Sequence, residues 1–378
     1  MLRPEIFIDM SKTDKDIAFM RQAIALAQKG RGRTSPNPMV GCVLVKAGRV
    51  IARGWHRACG QDHAEIDALK KAGTASRGAE MYVTLEPCFH YGRTPPCVDA
   101  VIKAGVRRVV IGMVDPNPLT AGKSLRKLRR AGVEVCCGVC EDELLQLNAA
   151  FIKYMTTGLP FVTAKIAQTL DGRVACRGGD SKWITSDQTR EKSRGKRFLF
   201  DAIVTGVNTV LMDNPRLDVN GKPLVKVVLD SSLRIPLKAR LFDATADGQV
   251  ILATTRKAPA ALITSFRQRR VDVIVCPRTD SGVDLGWLLC LLGKRGLINI
   301  LVEGGPKVIG SALKKGLVDR LHLYVAPKLL GDDQARGSVS GLMPAKISRA
   351  FPLRFLGVEQ SFGDLFIEAE VLHVHRNC

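Results

Sequence analysis

The chain has 378 residues, 46% of them hydrophobic, with 57 Lys and Arg against 36 Asp and Glu, a formal net charge of +21. That length exceeds one ordinary core and allows two domains, each able to bury a sizeable interior. No apolar run reaches the roughly 20 residues that span a bilayer, and the N-terminus mixes Arg3, Glu5, Asp9 and Asp14 with short apolar pieces, so neither a membrane anchor nor a signal peptide is expected. Eleven cysteines is an odd number for a disulfide framework. A cytoplasmic protein with reduced thiols is expected.

The charge is spread evenly. Residues 1–157 hold 24 Lys/Arg and 15 Asp/Glu, and the remainder holds 33 and 21. A nucleic-acid surface would cluster its cations among aromatics, whereas aromatics make up 5% of the chain and the densest basic runs, 126–130 and 190–197, contain none. The excess therefore reads as a solvated basic surface that also favours small anionic ligands, with no nucleic-acid or membrane partner.

In chain order, Ile17, Met20, Ile24 and Ala27 recur at helical spacing and predict a helix over 16–29, closed by Gly30. Strands follow over 40–45 and 50–55, then a helix over 64–72 and a strand over 81–85. A helix over 98–104, a strand over 109–111, a helix over 124–131 and a helix over 141–155 complete a three-layer α/β domain. The breaker cluster at 156–160 sets the boundary, giving domains 1–157 and 158–378. The second half opens with a strand over 161–166. Later an apolar run ends at Glu303 in Gly304 and Gly305, and a helix is expected from Pro306 to about Lys315, with N–H groups free to cradle a pyrophosphate or form a plain tight turn. Its pattern is not G-x-G-x-x-G, so a Rossmann domain is not supported. The apolar strand over 321–325, extended to 330, has the look of a sheet element pairing between subunits, and a homo-oligomer is expected.

The most specific chemistry lies in His63-Ala64-Glu65, Pro87-Cys88 and Pro96-Cys97. One imidazole and two thiolates can bind Zn2+ and leave a fourth tetrahedral position for water, as a catalytic zinc requires. Glu65 is then free to move the proton between water, ring nitrogen and departing ammonia, the order of a hydrolytic zinc deaminase. Pro96 is expected at the first helical position, bringing Cys97 to a helix start. A structural zinc, or two buried thiols beside an unrelated histidine, would leave the prolines and Glu65 unexplained.

Nucleic-acid deaminases close the pair as P-C-x-x-C, whereas here eight residues, 89–96, intervene. TLEPCFHYGRTPPC (84–97), with HAE (63–65), TSPNPMVGCV (34–43), GWH (54–56) and DPNP (115–118), resembles the bifunctional riboflavin-biosynthesis deaminase/reductase family over nearly the whole chain. In the second half, LDGR (170–173), GGDSKWIT (178–185), GVNTVLMDNP (206–215), VVLDSSLR (227–234) and ILVEGGP (300–306) look like the family's reductase half.

The resemblance implies a cytidine-deaminase-like first domain and a dihydrofolate-reductase-like α/β second domain. It also implies hydrolysis of the 2-amino group of a diaminopyrimidinone ribosylamino phosphate, followed by reduction of the ribosyl unit to ribityl with NADPH. It places Asn37 and His56 in the pyrimidine pocket, with Asp115 and Asn117 in a loop that closes it. In the second domain it places Lys165, Ser181, Arg197, Leu217 and Glu303 at substrate positions, Lys165 and Arg197 as cations for the ribose phosphate. Ala167, Trp183, Thr209, Asp213, Ser231 and the turn Gly305, Pro306, Lys307, Val308, Ile309 and Gly310 fall at cofactor positions. Where the family commonly carries an arginine after DNPRL, this chain has Val219, Asn220 and Gly221, and Arg216 or Lys222 is expected to substitute.

Other features read as structural. Cys136, Cys137 and Cys140 lack a second pair or histidine, Cys42 is a buried strand residue, and His322 is a core or interface histidine. Two other classes compete with the bifunctional enzyme: a tRNA-type base deaminase with an accessory domain, and a non-catalytic zinc-stabilised binding protein.

Overall fold

Alternating apolar runs and helical periods assemble into two α/β units, Met1–Gly158 and Leu159–Cys378, in the computed structural model. Residues 14–89, 91, 95–243 and 248–372 are described; the N-terminal segment 1–13 and, between the two cysteines, His90 and 92–94 lie outside them. No helix among the described residues is long and apolar enough to cross a membrane.

In the first unit α1 (Asp14–Ala27) precedes β1 (Gly41–Lys46) and β2 (Arg49–Trp55), followed by α2 (Ala64–Ala72), β3 (Glu80–Leu85), α3 (Cys97–Lys103), β4 (Arg108–Met113), α4 (Lys123–Arg130), β5 (Glu134–Cys137), α5 (Glu141–Leu147) and α6 (Ala149–Thr157). The sheet runs β2-β1-β3-β4-β5, antiparallel across β2-β1-β3 and parallel across β3-β4-β5. Parallel strands covered on both faces need continuous apolar runs, and every residue of β3 is buried. Gly54 has a packing reason: a Cβ there would stand 2.2 Å from Ala64 O and 2.5 Å from Ala68 N, so only glycine lets α2 lie on β2. That close approach fixes where α2 begins.

Two expectations change. Pro96 is the N-cap of α3 and not its first helical residue, which is Cys97. The helix expected over 141–155 is two, broken at Asn148 (φ −104°, ψ 21°). Asn148 is 3% exposed; its Oδ1 accepts Met39 N–H at 2.8 Å and its Nδ2 donates to Met39 O at 3.0 Å. A long-range pair of bonds outweighs local periodicity there.

The second unit contains β6 (Phe161–Thr169), β7 (Arg173–Ala175), α7 (Asp187–Gly195), β8 (Ala202–Gly206), α8 (Val207–Asp213), β9 (Val225–Leu229), β10 (Val250–Thr254), α9 (Ala260–Gln268), β11 (Asp272–Val275), β12 (Arg278–Thr279), β13 (Gly282–Val283), α10 (Leu285–Lys294), β14 (Asn299–Val302), α11 (Pro306–Lys314), β15 (Arg320–Ala326), β16 (Arg336–Gly337), β17 (Leu353–Ser361) and β18 (Asp364–Val371). Nine of these strands form one sheet, β11-β10-β9-β8-β14-β6-β15-β18-β17, while β7-β16 and β12-β13 are short ribbons. One apolar cluster, with Val204, Ile300 and Leu288, covers one set of sheet residues, and a second, with Val228, Leu252 and Phe266, covers another.

β15 is an interior strand, parallel to β6 and antiparallel to β18. Its backbone groups are paired within the chain, so the expectation that it pairs between subunits is corrected; β11 and β17 form the sheet's edges. His322 on β15 sits edge-on to Phe200 and Phe366, with Nε2 3.6 Å from a Glu368 carboxylate oxygen.

Removing the Asn148 amide strands both Met39 backbone groups. Asn148→Ala is expected to cost about 1–3 kcal/mol, well above the few tenths regained as helix propensity. An unchanged denaturant midpoint would show that the bonds to Met39 carry no net stability.

Candidate functional site

The first site is built where three secondary-structure ends meet. His63 is the N-cap of α2, Cys97 is the first residue of α3, and Cys88 lies three residues beyond β3. His63 Nδ1 is 3.2 Å from Cys97 Sγ and 3.7 Å from Cys88 Sγ, and the Cys97 N–H donates to Cys88 Sγ at 3.2 Å. All three donor atoms lie within 4.8 Å of one another, the one such group of three among the described residues. Tetrahedral zinc with ordinary bond lengths needs donor–donor separations of about 3.5–3.8 Å, so the set fits the ion with small adjustments.

The cluster shares protons accordingly. Hydrogen bonding from the Cys97 thiol, and from His63, pulls the Cys88 thiol down to about 4, while the Cys97 thiol is pushed far up as the proton holder. The bond to Cys88 raises His63 to about 9. Glu65, 3% exposed, is the second residue of α2, and burial lifts its carboxyl to about 7.

Asn37 and His56 are brought to the same place from different elements. His56 follows β2 directly and meets the His63 ring edge-on at 5.4 Å. Its Nδ1 lies 3.1 Å from Asp62 O, a carbonyl that only accepts, so Nδ1 carries the proton. Nε2 is then the acceptor for Asn37 Nδ2 at 3.3 Å. Burial lowers the His56 pKa, which keeps the ring neutral. With its amide nitrogen engaged by His56, Asn37 has Oδ1 as its acceptor atom.

Asp115 and Asn117 follow β4 in a tight loop. Asp115 Oδ1 accepts Asn117 N–H at 2.9 Å and Asn117 Oδ1 accepts Leu119 N–H at 3.0 Å, so both oxygens also shape the loop. Glu86, which sequence reasoning did not single out, joins this loop to the Cys88 turn by accepting the backbone N–H groups of Asp115, Gly122 and Ser124. An acidic residue before Pro-Cys was the available signal.

The second site is a cleft of about 2420 Å³ in the second unit, at the carboxyl ends of β8, β9 and β14. It takes in the substrate expectations Lys165, Ser181, Arg197, Leu217 and Glu303, and the cofactor expectations Ala167, Trp183, Thr209, Asp213, Ser231 and residues 305–309. Its volume, the half-buried turn after β14 and the surrounding cations suit a dinucleotide beside a phosphorylated ligand. Trp183 is 59% exposed on the wall with the Arg190 guanidinium 4.0 Å over its ring, and so is no core aromatic.

Three expectations need correction. Arg197 is not a free cation: Nε and Nη2 form a two-point bridge to Glu303 at 3.1 and 2.8 Å, and Nη1 donates to Asp218 O. Burial opposes the Glu303 charge, yet Arg197 and Lys165 outweigh it and hold the carboxyl below its usual range. Gly310 does not line the cleft; a Cβ there would lie 1.8 Å from Ser340 O, so it is a packing glycine. Lys222 is also outside the cleft, its ammonium donating to Phe198 O and Phe200 O beside Asp201. Arg216 does line the cleft and has no hydrogen-bond or ion-pair partner among the described residues. Lys165 Nζ is likewise unpaired there, 5.8 Å from the centre of the Tyr324 ring. Tyr324 is a cleft residue that the strand pattern concealed.

Comparison with known proteins adds independent findings. Residues 13–113 match the cytidine and deoxycytidylate deaminase zinc-binding region, and residues 160–366 match the RibD C-terminal domain. The chain is 43% identical over 364 residues to the riboflavin biosynthesis protein RibD of Actinobacillus pleuropneumoniae, covering 96% of each. To that of Escherichia coli it is 42% identical over 339 residues, 85% of this chain and 90% of the relative. Among solved structures, Acinetobacter baumannii RibD superposes with a TM-score of 0.84 at 36% identity, covering 95% of this chain and 99% of that one. The Thermotoga maritima diaminohydroxyphosphoribosylaminopyrimidine deaminase/5-amino-6-(5-phosphoribosylamino)uracil reductase gives 0.82 at 37% identity, with the same coverage.

The separate surroundings of Arg216 and Lys222 generate opposite expectations. Arg216→Ala should weaken binding of a sugar-phosphate ligand in the cleft about tenfold without lowering the melting temperature, whereas Lys222→Ala should lower the melting temperature with little change in affinity. Titration calorimetry and thermal unfolding on both variants check this, and a reversed pattern would contradict it.

Proposed function

The chain belongs to the riboflavin biosynthesis protein RibD family, a bifunctional deaminase and reductase, and from that premise we propose how its own residues divide the two reactions. The observation that carries the reading is the meeting of His63, Cys88 and Cys97 with Glu65 buried beside them. These three hold zinc, and zinc when bound supplies the Lewis acidity that makes water nucleophilic at neutral pH.

The substrate of the first reaction is a diaminopyrimidinone ribosylamino 5'-phosphate. Asn37 Oδ1, its amide oriented by neutral His56, accepts an N–H of the pyrimidine, and the segment carrying Asp115 and Asn117 closes over the ring. Glu65 takes the proton from the attacking water, returns it to the ring nitrogen, and assists the 2-amino group to leave as ammonia. Carbon–nitrogen cleavage and carbonyl formation then balance as a hydrolysis.

In the second reaction NADPH is the hydride source, and Trp183, Thr209, Ser231 and the turn after β14 hold it. Reduction at the ribosyl C1' requires the bond to the ring oxygen to break and that oxygen to gain a proton. Lys165, the cleft ammonium that acts on the Glu303 carboxylate, supplies it. Glu303, held in place by Arg197, orients the ribosyl end. Arg216 takes the phosphate in place of the arginine missing at 219–221.

Exchange of one oxygen for an amide tests the division of labour. Glu65→Gln in the full chain should lower ammonia release by at least about 10²-fold while about one zinc per chain and the nicotinamide-linked reduction remain. Undiminished ammonia release would remove Glu65 from the reaction, and loss of both activities would contradict two separate sites.

A further inference from the structure

Glu86 stands between the apolar strand β3 and Pro87-Cys88, and neither metal holding nor proton transfer uses it. Its side chain is 2% exposed. Burial pushes the Glu86 carboxyl above its usual range, and the backbone N–H groups that fill its lone pairs oppose that shift. Oε2 accepts Gly122 N–H at 2.8 Å and Asp115 N–H at 3.3 Å, Oε1 accepts Ser124 N–H at 3.0 Å, and Leu125 N–H adds a further favourable contact. Gly122, the N-cap of α4, has no side chain to cap with, so Glu86, just beyond β3, caps that helix.

The same two segments are sewn together on either side. Glu86 N–H donates to Met113 O at 3.0 Å, and Ser124 Oγ donates to Pro87 O at 2.6 Å. Cys88 thus hangs from one end of a clamp whose other end carries Asp115 and Asn117.

We propose that Glu86 is a positioning residue for deamination, a carboxylate clamp that sets the 115–125 segment at a fixed distance from the turn bearing Cys88, so that the ring is bound in register with the metal-holding residues. This rests on the reading of Asp115 and Asn117 as substrate-binding. A carboxylate is required because both oxygens serve as acceptors. An amide offers one, and its NH2 would confront either the Ser124 N–H or the pair from Asp115 and Gly122.

The test uses full-length, zinc-loaded Glu86→Gln, Ser124→Ala and Asn117→Ala, with zinc content and the reductase rate measured in the same samples. Glu86→Gln should raise the deaminase KM about tenfold, keep kcat within about threefold, and leave zinc per chain and the reductase rate unchanged. Ser124→Ala, which loosens the same clamp and keeps the carboxylate, should raise KM about two- to fivefold. An unchanged KM in Glu86→Gln, or a loss of activity that tracks loss of zinc, overturns the inference. Should Glu86→Gln not fold, Ser124→Ala decides, and an unchanged KM overturns it. If Asn117→Ala raises KM while the two clamp variants do not, the inference alone fails; if none of the three moves KM, the substrate-binding reading of the segment fails with it.

Discussion

Three side chains from separated parts of the chain must reach one point, and most of the first unit's construction follows from that demand. His63 and Cys97 are carried on helix starts, His63 as the N-cap of α2 and Cys97 as the first residue of α3. Cys88 arrives from the carboxyl end of a fully buried strand. None of these positions can drift without moving an entire element. Gly54 sets the approach of α2, Pro96 stops the chain before α3, and Glu86 ties the Cys88 turn to the loop after β4.

The second unit solves a different problem with the same geometry. Its cleft also opens at the carboxyl ends of parallel strands, where loops are free to vary while the sheet stays rigid. The chemistry there depends on charge more than on coordination. Arg197 and Glu303 neutralise each other in a two-point bridge, while Lys165 and Arg216 are among the cleft cations with no hydrogen-bond or ion-pair partner among the described residues. The net charge of +21 becomes specific only through such local pairings.

The α/β class, the position of α2 and the zinc-type donor set were legible in the sequence, because helical spacing, strand runs and the order His-x-Glu then two Pro-Cys pairs are local signals. What stayed hidden depends on partners distant in sequence. Periodicity carried one helix through Asn148, since nothing nearby announces its bonds to Met39. The family resemblance implied a phosphate contact at Arg197, but its carboxylate partner lies 106 residues away in sequence. Gly310 looked like part of a ligand turn and proved to make room for the Ser340 carbonyl. β15 read as a strand pairing between subunits because its apolar pattern is the same whether its neighbours come from this chain or another.

The most direct measurement of the central claim is zinc X-ray absorption spectroscopy on the full-length protein. An open three-ligand site predicts about one zinc per chain with two sulfurs near 2.3 Å and two lighter nitrogen or oxygen neighbours near 2.0–2.1 Å. Three or four sulfur neighbours, or rapid deamination by protein stripped of metal, would contradict it.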